Sequence, residues 1–254
     1  MNQPVISIIT VVYNSASLLG LTMHSVFKQD YPNIEYIIVD GASSDGTVTL
    51  IQEQEEKISK WISEPDKGLY DAMNKGIDLA TGDFIWFMNA GDTIPAASTV
   101  SKMIAQCDAN TDVIYGEVML VNEAREPQGT RSECTTQQLP QNLNWKSLRY
   151  GMVVCHQGFL PKRSLVPKYQ MDNLSADIYW VIECLKKSKK ATNTNMIVAN
   201  YLMGGLSKNR HQQSLKDRYA ILQKQYGYFP NLAAHSWIIL RAVWAKYIQK
   251  KKYV

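Results

Sequence analysis

The chain has 254 residues, of which 45% are hydrophobic, and its formal net charge at pH 7 is +4. This composition suits a globular core and excludes a disordered chain. No apolar run reaches the roughly 20 residues that a membrane-spanning helix needs, and a modest charge without a basic aromatic face excludes a general nucleic-acid-binding protein.

The N-terminal segment and the cysteines predict the cellular compartment. The segment MNQPVISIITVVYN has no basic region before its apolar run, so we expect no signal peptide. Four widely spaced cysteines form no C-x-x-C pair, which argues against a zinc site or a disulfide framework. We therefore expect free thiols in a reducing cytoplasm.

The first half of the chain alternates predicted strands and helices. The predicted strands cover residues 5–12, 34–39, 58–63 and 84–88, and the predicted helices cover residues 17–28, 47–57, 69–80 and 97–105. This alternation predicts an α/β fold, with a mainly parallel sheet and helices on both faces.

The second half is less regular. A strand is predicted at residues 113–121, and the polar residues 122–150 lack clear periodicity, which is typical of a functional loop or a mobile segment. Further strands are predicted at residues 153–160 and 196–201. Ser175 is predicted to cap a helix that ends near Lys187, and the chain from about residue 214 onward is predicted to be helical.

Three predicted strands of the first half end in polar residues. The polar ends are Tyr13 and Asn14 after the first strand, Asp40 and Gly41 after the second, and Asn89, Ala90, Gly91 and Asp92 after the fourth. Ligands of open α/β sheets bind just beyond the carboxyl ends of the strands. Three such ends favour one shared crevice for a polar, phosphorylated ligand over three ordinary strand-to-loop boundaries.

Six segments together resemble the family 2 glycosyltransferases, which have the glycosyltransferase-A fold. They are SIITVVYN, IIVDGASSDGT, SEPDKGLYDAMNKGIDLATGDFIWFMNAGD, VCHQGFL, SADIYW and GGLS, and the similarity spans roughly residues 5–207. The chain is similar in particular to bacterial enzymes that build exopolysaccharide or lipopolysaccharide repeat units, of the colanic-acid type.

The resemblance implies an inverting transfer that depends on Mg²⁺ or Mn²⁺. The expected donor is a nucleoside-diphosphate-sugar, with uridine diphosphate (UDP) as the nucleotide, and the expected acceptor is a hydroxyl of a saccharide or a lipid-linked saccharide. It also implies a catalytic domain at residues 1–213, divided near residue 121 into donor and acceptor halves, followed by a helical basic tail at residues 214–254.

At the nucleotide, the resemblance implies that Asp40 accepts a hydrogen bond from the base. Thr10, Val12 and Tyr13 would supply backbone contacts and a ring face for the same base. The alternative is that Asp40 only shapes its turn, since Asp-Gly is a common turn pair.

For the diphosphate, the resemblance implies a metal site in the segment Asn89-Ala90-Gly91-Asp92. This segment replaces the D-x-D-type motif, and two positions that are often acidic in relatives are Asn and Gly. Asp92 is then the sole expected carboxylate ligand, which is adequate for Mg²⁺ when phosphates complete its shell. The alternative is that Asp92 caps the following helix.

Further donor contacts are predicted around the helix at residues 69–80. Asp71 and Asn74 share a helical face near the expected donor sugar, although Asp71 could equally be a first-turn acid that the helix dipole favours. Lys67 either reaches a phosphate or is solvated.

The resemblance assigns the catalytic base to Asp177, with a first-turn acid as the alternative. His156 either contacts the acceptor or diphosphate or is structural. Arg210 and His211 belong to a glycine-containing loop that either closes over the diphosphate or is a solvated basic loop.

The tail combines tryptophans with lysines. Trp237, Leu240, Trp244 and Ile248 recur at helical spacing, and Lys250, Lys251 and Lys252 follow them. This pattern predicts contact with an anionic membrane, at the cytoplasmic face of the bacterial inner membrane, while a helix packed on the domain is the alternative.

Two other functions were weighed. A non-catalytic nucleotide-sugar-binding module is suggested by Asn89 and Gly91. A Rossmann dehydrogenase is disfavoured because YNSAS, and no G-x-G-x-x-G motif, follows the first strand.

Overall fold

The computed structural model describes residues 3–204 and 211–247. Its first sheet contains four parallel strands, β1 (Ile6–Val12), β2 (Ile34–Asp40), β3 (Lys60–Ser63) and β4 (Phe84–Phe87), in the order β3-β2-β1-β4. In this register Ile9 pairs with Ile37 on one side and with Phe87 on the other. Such continuous apolar strands form because both faces of a parallel sheet are covered.

Helices cover both faces of this sheet, as predicted. They are α1 (Ala16–Phe27), α2 (Thr47–Glu53), α3 (Leu69–Leu79) and α4 (Thr99–Ile104). Successive residues of a strand point to opposite faces of the sheet, so they pack in two different hydrophobic clusters. Ile9 and Phe87 pack with Met73 of α3, whereas Ile8 and Trp86 pack on the other face. The carboxyl ends of β1, β2 and β4 therefore meet along one edge.

The second sheet is mixed, a feature that the sequence prediction did not contain. Its central strand β5 (Val113–Val121) pairs antiparallel with β6 (Pro127–Thr130) and β7 (Phe159–Pro161), and parallel with β8 (Ala191–Leu202). An antiparallel bridge between Phe84 and Lys162 joins it to the first sheet. The two sheets thus form one framework.

Two predictions for the second half were wrong. Residues 122–150 contain β6, the short helix α5 (Arg131–Cys134) and a 3₁₀ segment at Trp145–Tyr150. Residues 153–160 are not one strand, because His156–Gly158 forms a 3₁₀ turn before β7. Elements of three to six residues are shorter than the window in which hydrophobic periodicity can be recognised.

The last helices are α6 (Ala176–Lys187), α7 (His211–Tyr226) and α8 (Tyr228–Tyr247), which confirms the helical prediction for the described part of the tail. The proposed division between residues 213 and 214 falls within α7. Within the described ranges, no helix is long and apolar enough to cross a membrane.

Helix α8 has one buried and one exposed side. Asn231 and Ala234 are buried, and α8 packs against Trp145–Tyr150. The opposite side exposes large apolar side chains: Phe229, Leu232, Trp237, Ile239, Leu240, Val243 and Trp244.

Candidate active site

The turn after β4 is held by Thr22 of α1. Its hydroxyl accepts a hydrogen bond from the Gly91 amide at 2.9 Å and donates to the Asp92 carbonyl at 2.7 Å. Gly91 has a φ of +102°, and a Cβ there would come within 2.9 Å of Leu202. A side chain at this position would be strained and would collide with Leu202, which accounts for the glycine.

Asp92 is buried behind this turn. One carboxylate oxygen accepts from the Leu202 amide and the other from the Gln157 side chain, both at 2.9 Å. The following helix begins only at Thr99, so Asp92 does not cap it. Burial raises the pKa of Asp92 to about 7, against the opposing effects of these hydrogen bonds and of the Arg125 charge.

The residues at this turn can supply part of the coordination shell of a divalent cation. Oδ1 of Asn89 is buried without a hydrogen-bond partner, and each Asp92 oxygen retains a lone pair. Amide and carboxylate oxygens are suitable ligands for hard cations. Because the described residues contain no cluster of three or more His, Cys, Asp or Glu side chains that could hold a metal, the remaining ligands would be phosphate oxygens and water.

Arg125 places a fixed positive charge at the same turn. It lies between β5 and β6 with a φ of +66°, and its Nη1 donates to the Gly91 carbonyl. Its Nη2 is buried without a partner. Sequence analysis missed this residue because the β5–β6 hairpin itself was not predicted.

The opposite end of the crevice has the features of a base-binding site. The side chain of Tyr13 is 63% exposed. A methyl group on Gly41 would come within 3.3 Å of the Tyr13 ring and 2.5 Å of Oδ2 of Asp66. Asp66 Oδ1 accepts from the Gly68 amide at 2.8 Å, and Oδ2 accepts no hydrogen bond from the described residues. An aromatic face and an open carboxylate oxygen therefore flank a glycine, a combination that sequence analysis did not assign to Asp66.

Three predicted nucleotide contacts lie deeper. Asp40 is fully buried, and its Oδ2 accepts from the Ser43 amide at 2.9 Å and the Ser63 hydroxyl at 2.6 Å. The Thr10 hydroxyl donates to the Met88 carbonyl at 2.7 Å, and the Val12 carbonyl accepts from the Gly41 amide at 2.9 Å. As placed, Asp40 shapes its turn, while Thr10 and Val12 belong to the sheet.

The predicted donor-sugar contacts around α3 also have partners within the protein. Asp71 accepts from the Lys67 amide at 2.9 Å, and the Lys67 side chain is exposed. Asn74 donates to the Tyr169 carbonyl at 3.0 Å and accepts from its amide at 2.7 Å. Asp71 thus stabilises the loop before α3, and Asn74 anchors residue 169. The Ala90 amide, in the turn after β4, donates to the Val11 carbonyl at 3.2 Å.

His156 lies in an aromatic cluster under α6. Its ring stacks on Phe87 with centroids 5.1 Å apart, and its Nε2 shares a hydrogen bond with the Tyr169 hydroxyl. Burial lowers the pKa of His156 to about 4, so the ring is neutral at pH 7. The structure places His156 in the core, which corresponds to the structural alternative.

Asp177 lies in the first turn of α6. One of its oxygens accepts from the Ile178 amide at 2.8 Å, and burial raises the pKa of its carboxyl. Burial also raises the pKa of the Tyr201 hydroxyl and the Cys155 thiol, and the charges of both Asp92 and Asp177 act on each of these groups. A direct link exists on the Asp92 side, where the Gln157 side chain accepts from the Cys155 thiol at 3.1 Å and donates to Asp92 at 2.9 Å.

The charges of two arginines act on Asp177, and sequence analysis missed both residues. The charges of Arg131, in α5, and Arg218, in α7, oppose the effect of burial on the Asp177 pKa. Sequence patterns offered no signal for them, because α5 is too short to recognise and α7 was assigned to a tail. Arg210 lies outside the described residues, and His211 begins α7 with a side chain that is also outside them.

Ser175 occupies the N-cap position of α6, as predicted, but its side chain does not cap the helix. Its hydroxyl instead donates to the Ser214 carbonyl of α7 at 2.9 Å. The helix start is therefore held by a tertiary contact.

Comparison with known proteins places this geometry in a family. The model of glycosyl transferase family 2 matches residues 7–169. An uncharacterized glycosyltransferase of Mycobacterium tuberculosis is 38% identical over 104 residues, which is 41% of this chain and 40% of that relative's length. The PGL/p-HBAD biosynthesis glycosyltransferase of Mycobacterium bovis is 29% identical over 224 residues, 82% of this chain and 80% of the relative.

Among solved structures, the mannosyltransferase PcManGT of Pyrobaculum calidifontis, in complex with GDP-Man and Mn²⁺, is similar with a TM-score of 0.66. The match covers 98% of this chain and 76% of that one at 18% identity. At this identity the likeness concerns the fold, and it confirms the predicted glycosyltransferase-A architecture.

Proposed function

This chain belongs to glycosyl transferase family 2, and on that premise we propose that it transfers a sugar from a nucleoside diphosphate to a hydroxyl of a saccharide acceptor. The observation that carries the proposal is the turn after β4, where the Asp92 carboxylate, the unpartnered amide oxygen of Asn89 and the Arg125 guanidinium lie together at the carboxyl edge of the first sheet. Asp92 stands at the end of β4, and Asp177 stands at the start of α6. A donor diphosphate and an acceptor hydroxyl can then meet between them.

The nucleotide base would stack on Tyr13. Asp66 supports this assignment, since its Oδ2 is open and lies against Gly41 beside the ring. An N–H group of uracil or guanine could donate to that oxygen. Asp40 would act by holding the turn in shape, or by binding the base directly as the family resemblance implies. Lys67, whose side chain is exposed, would contact the donor directly. Thr10 and Val12, within the sheet, and Asp71 and Asn74, bonded within the protein, would support the donor site from behind.

Asp92 and the amide oxygen of Asn89 would hold a Mg²⁺ or Mn²⁺ ion. When bound, the ion supplies positive charge to the departing diphosphate. The Arg125 guanidinium adds a fixed charge at the same turn. The complex of PcManGT with GDP-Man and Mn²⁺ supports the use of a divalent ion in this fold.

Asp177 would act as the general base of an inverting transfer. It accepts the proton of the acceptor hydroxyl while that oxygen bonds to the anomeric carbon. The bond from this carbon to the diphosphate oxygen breaks at the same time, and its electron pair leaves with the diphosphate. A carboxyl with a raised pKa is a better proton acceptor than an ordinary one.

We further propose that the acceptor is lipid-linked and belongs to bacterial surface polysaccharide synthesis. The protein would then bind peripherally to the cytoplasmic face of the inner membrane. The apolar side of α8 supports this placement, since Trp237 and Leu240 are more than half exposed.

The test is a panel of UDP- and GDP-sugars, assayed for hydrolysis and for transfer with Mg²⁺, Mn²⁺ or a chelator. We expect one donor to react in the presence of the ion, and Asp92→Asn to reduce the rate by on the order of 10²–10³. Asp30→Asn, which makes the same chemical change at an exposed site, should match the wild type. Tight donor binding without any turnover would favour a non-catalytic binding module instead. Full activity of Asp92→Asn would show that Asp92 does not belong to the active site.

A further inference from the structure

The start of α6, which carries Asp177, has no cap from its own N-cap side chain. Ser175 occupies that position, but its hydroxyl donates to the Ser214 carbonyl of α7 at 2.9 Å. An N-cap side chain normally accepts a hydrogen bond from an amide of the first helical turn. Because Ser175 and Ala176 are buried, we expect this acceptor to come from another part of the fold rather than from solvent.

Tyr70, the second residue of α3, supplies a hydroxyl at this helix start. The hydroxyl donates to the Leu174 carbonyl at 3.3 Å, across 104 residues of the chain. Hydrogen bonds with the amides of Ala176 and Asp177 oppose the rise that burial causes in the pKa of Tyr70, so the same oxygen lies at the first turn of α6. A phenolic hydroxyl can donate and accept at once, and here it bonds on both sides of the N-cap position.

The ring of Tyr70 is held in place by its neighbours. It stacks on the Tyr169 ring with centroids 5.2 Å apart, and Tyr169 stacks in turn on Trp180 of α6 at 5.1 Å. The side chain of Asn74, one turn further along α3, bonds to the Tyr169 carbonyl at 3.0 Å and to its amide at 2.7 Å. The position of the Tyr70 hydroxyl is therefore fixed by packing between α3 and α6.

The same helix is tied to the loop proposed to bind the nucleotide base. The Gly68 amide donates to Oδ1 of Asp66 at 2.8 Å, and the Lys67 amide donates to the Asp71 carboxylate at 2.9 Å. Tyr70 lies in the first turn of α3, between these contacts and α6. A continuous series of contacts thus joins the Asp66 loop to the start of α6.

We propose that Tyr70 is a positioning residue, whose hydroxyl caps α6 and holds Asp177 in the orientation needed to take the acceptor proton. The proposal rests on the function proposed above, in which Asp177 is the general base. A general base acts only within hydrogen-bond reach of the proton that it removes. Displacement of a reacting group by about 1 Å can cost on the order of 10²-fold in rate. Loss of the cap would therefore slow turnover through Asp177.

The test removes the hydroxyl and keeps the ring. Tyr70→Phe should lower kcat for transfer about tenfold or more, with the KM for donor unchanged because the donor contacts remain. Tyr31→Phe is the matched control, since Tyr31 also donates a buried hydroxyl to a backbone carbonyl, that of Pro4 at 2.6 Å, at the amino end of the first sheet. Its kcat should match the wild type, even if its melting temperature falls as far.

A second measurement does not depend on activity. Hydrogen exchange of the first-turn amides of α6, followed by mass spectrometry on peptides that span Ala176–Lys187, should be several-fold faster in Tyr70→Phe. Exchange in the same peptides should be unchanged in Tyr31→Phe. Unchanged exchange in Tyr70→Phe would show that its hydroxyl does not cap the helix, which overturns the proposal.

The double variant separates positioning from general stability. In an Asp177→Asn background, Tyr70→Phe should cost little further activity, because no base is left to orient. An equal loss in both backgrounds, an unchanged kcat for Tyr70→Phe alone, or the same loss in Tyr31→Phe would overturn the proposal. A normal kcat for Asp177→Asn would instead contradict the proposed function, and hydrogen exchange would still decide whether Tyr70 caps α6.

Discussion

Single side chains decide how the crevice is divided between its two carboxylates. Gly91 adopts a left-handed conformation against Leu202, and the turn after β4 presents one acid, Asp92. Asn89 contributes an amide oxygen in place of a charge, and Arg125 adds a positive one. The donor end is thus less acidic than a D-x-D site.

The role of Asp177 has a pH signature. Burial raises its pKa, and the charges of Arg131 and Arg218 limit the rise. The base must be ionised, so turnover should fall as the pH drops through this raised pKa, above the usual carboxyl value of about 4. Asp177→Asn should lower kcat by about 10²–10⁴ with little change in the KM for donor.

Arg218→Gln should move the acidic limb of the kcat profile to higher pH, because one opposing charge is lost. Tyr70, Tyr201 and Cys155 also face Asp177, but they are neutral over this range. A normal kcat for Asp177→Asn at saturating donor would show that another group removes the proton.

The base-binding end can be dissected with three substitutions. Asp66→Ala should weaken UDP or GDP binding by about 1.5–3 kcal/mol, the value of a hydrogen bond to a charged group. Asp40→Ala should have a comparable effect if it binds the base. Ser44→Ala, at an exposed position of the same turn, is the control. Calorimetry that detects a loss for Asp40→Ala and none for Asp66→Ala would reverse the assignment.

At the scale of the secondary-structure elements, Glu35 of β2 connects three neighbouring segments of the first sheet. Its carboxylate accepts from Lys60 of β3 at 2.8 Å, from Ser7 of β1 at 2.6 Å, and from Thr81 before β4 at 2.6 Å. Burial alone would raise the pKa of Glu35, but these bonds lower it to about 2. The strand order of the first sheet thus depends in part on one carboxylate.

Glu35→Gln should lower the free energy of unfolding by about 2–3 kcal/mol at pH 7, since donors aimed at a charge lose their partner. Because the pKa of Glu35 is lower in the folded protein than in the unfolded chain, the ionised carboxylate stabilises the fold. This stabilisation is complete above the unfolded pKa of about 4.5 and is lost as the pH falls toward 2. Urea unfolding at pH 7 and at pH 3 measures the difference. Glu53→Gln, at an exposed position, should be neutral, and an equal loss for Glu35→Gln at both pH values would contradict the linkage.

At the scale of the whole molecule, α8 leaves an apolar side uncovered. Trp237 and Trp244 are about half exposed, and the adjoining Leu240 is 62% exposed. The lysines Lys250, Lys251 and Lys252, on which the predicted attraction to anionic lipid also depends, lie outside the described residues. A helix at a membrane interface needs both apolar and basic residues. Salt should weaken the attraction of its basic residues to anionic lipid.

We expect the full chain to bind vesicles that contain anionic lipid, and salt to weaken the binding. Replacing Trp237 and Trp244 together by Ser should reduce the affinity about tenfold or more, because two indole groups no longer enter the interface. Donor hydrolysis in solution should be unaffected. Leu21→Ser, an exposed apolar residue of α1, is the control. Equal sedimentation of the double variant and the wild type would mean that α8 is not the anchor.

The sequence alone determined the elements of the first sheet and the edge at which its strands end. Those features depend on periodicity and turn residues within about ten neighbouring positions. For the same reason it singled out Asp92 and Asp177 as candidates, and their roles stay predictions. It could not resolve β6, α5 or the 3₁₀ turn at His156–Gly158, which are too short to show a periodic pattern.

Only the tertiary structure decided which groups surround the two carboxylates. The start of α6, which carries Asp177, is held against α7 because Ser175 and Ser214, 39 residues apart, form a hydrogen bond. Gln157 and Leu202 bond to Asp92 across 65 and 110 residues. Contacts of this range arise from packing of the whole chain, and no local pattern of residue types encodes them. The burial of His156, and with it the low pKa of its ring, was settled by the same packing.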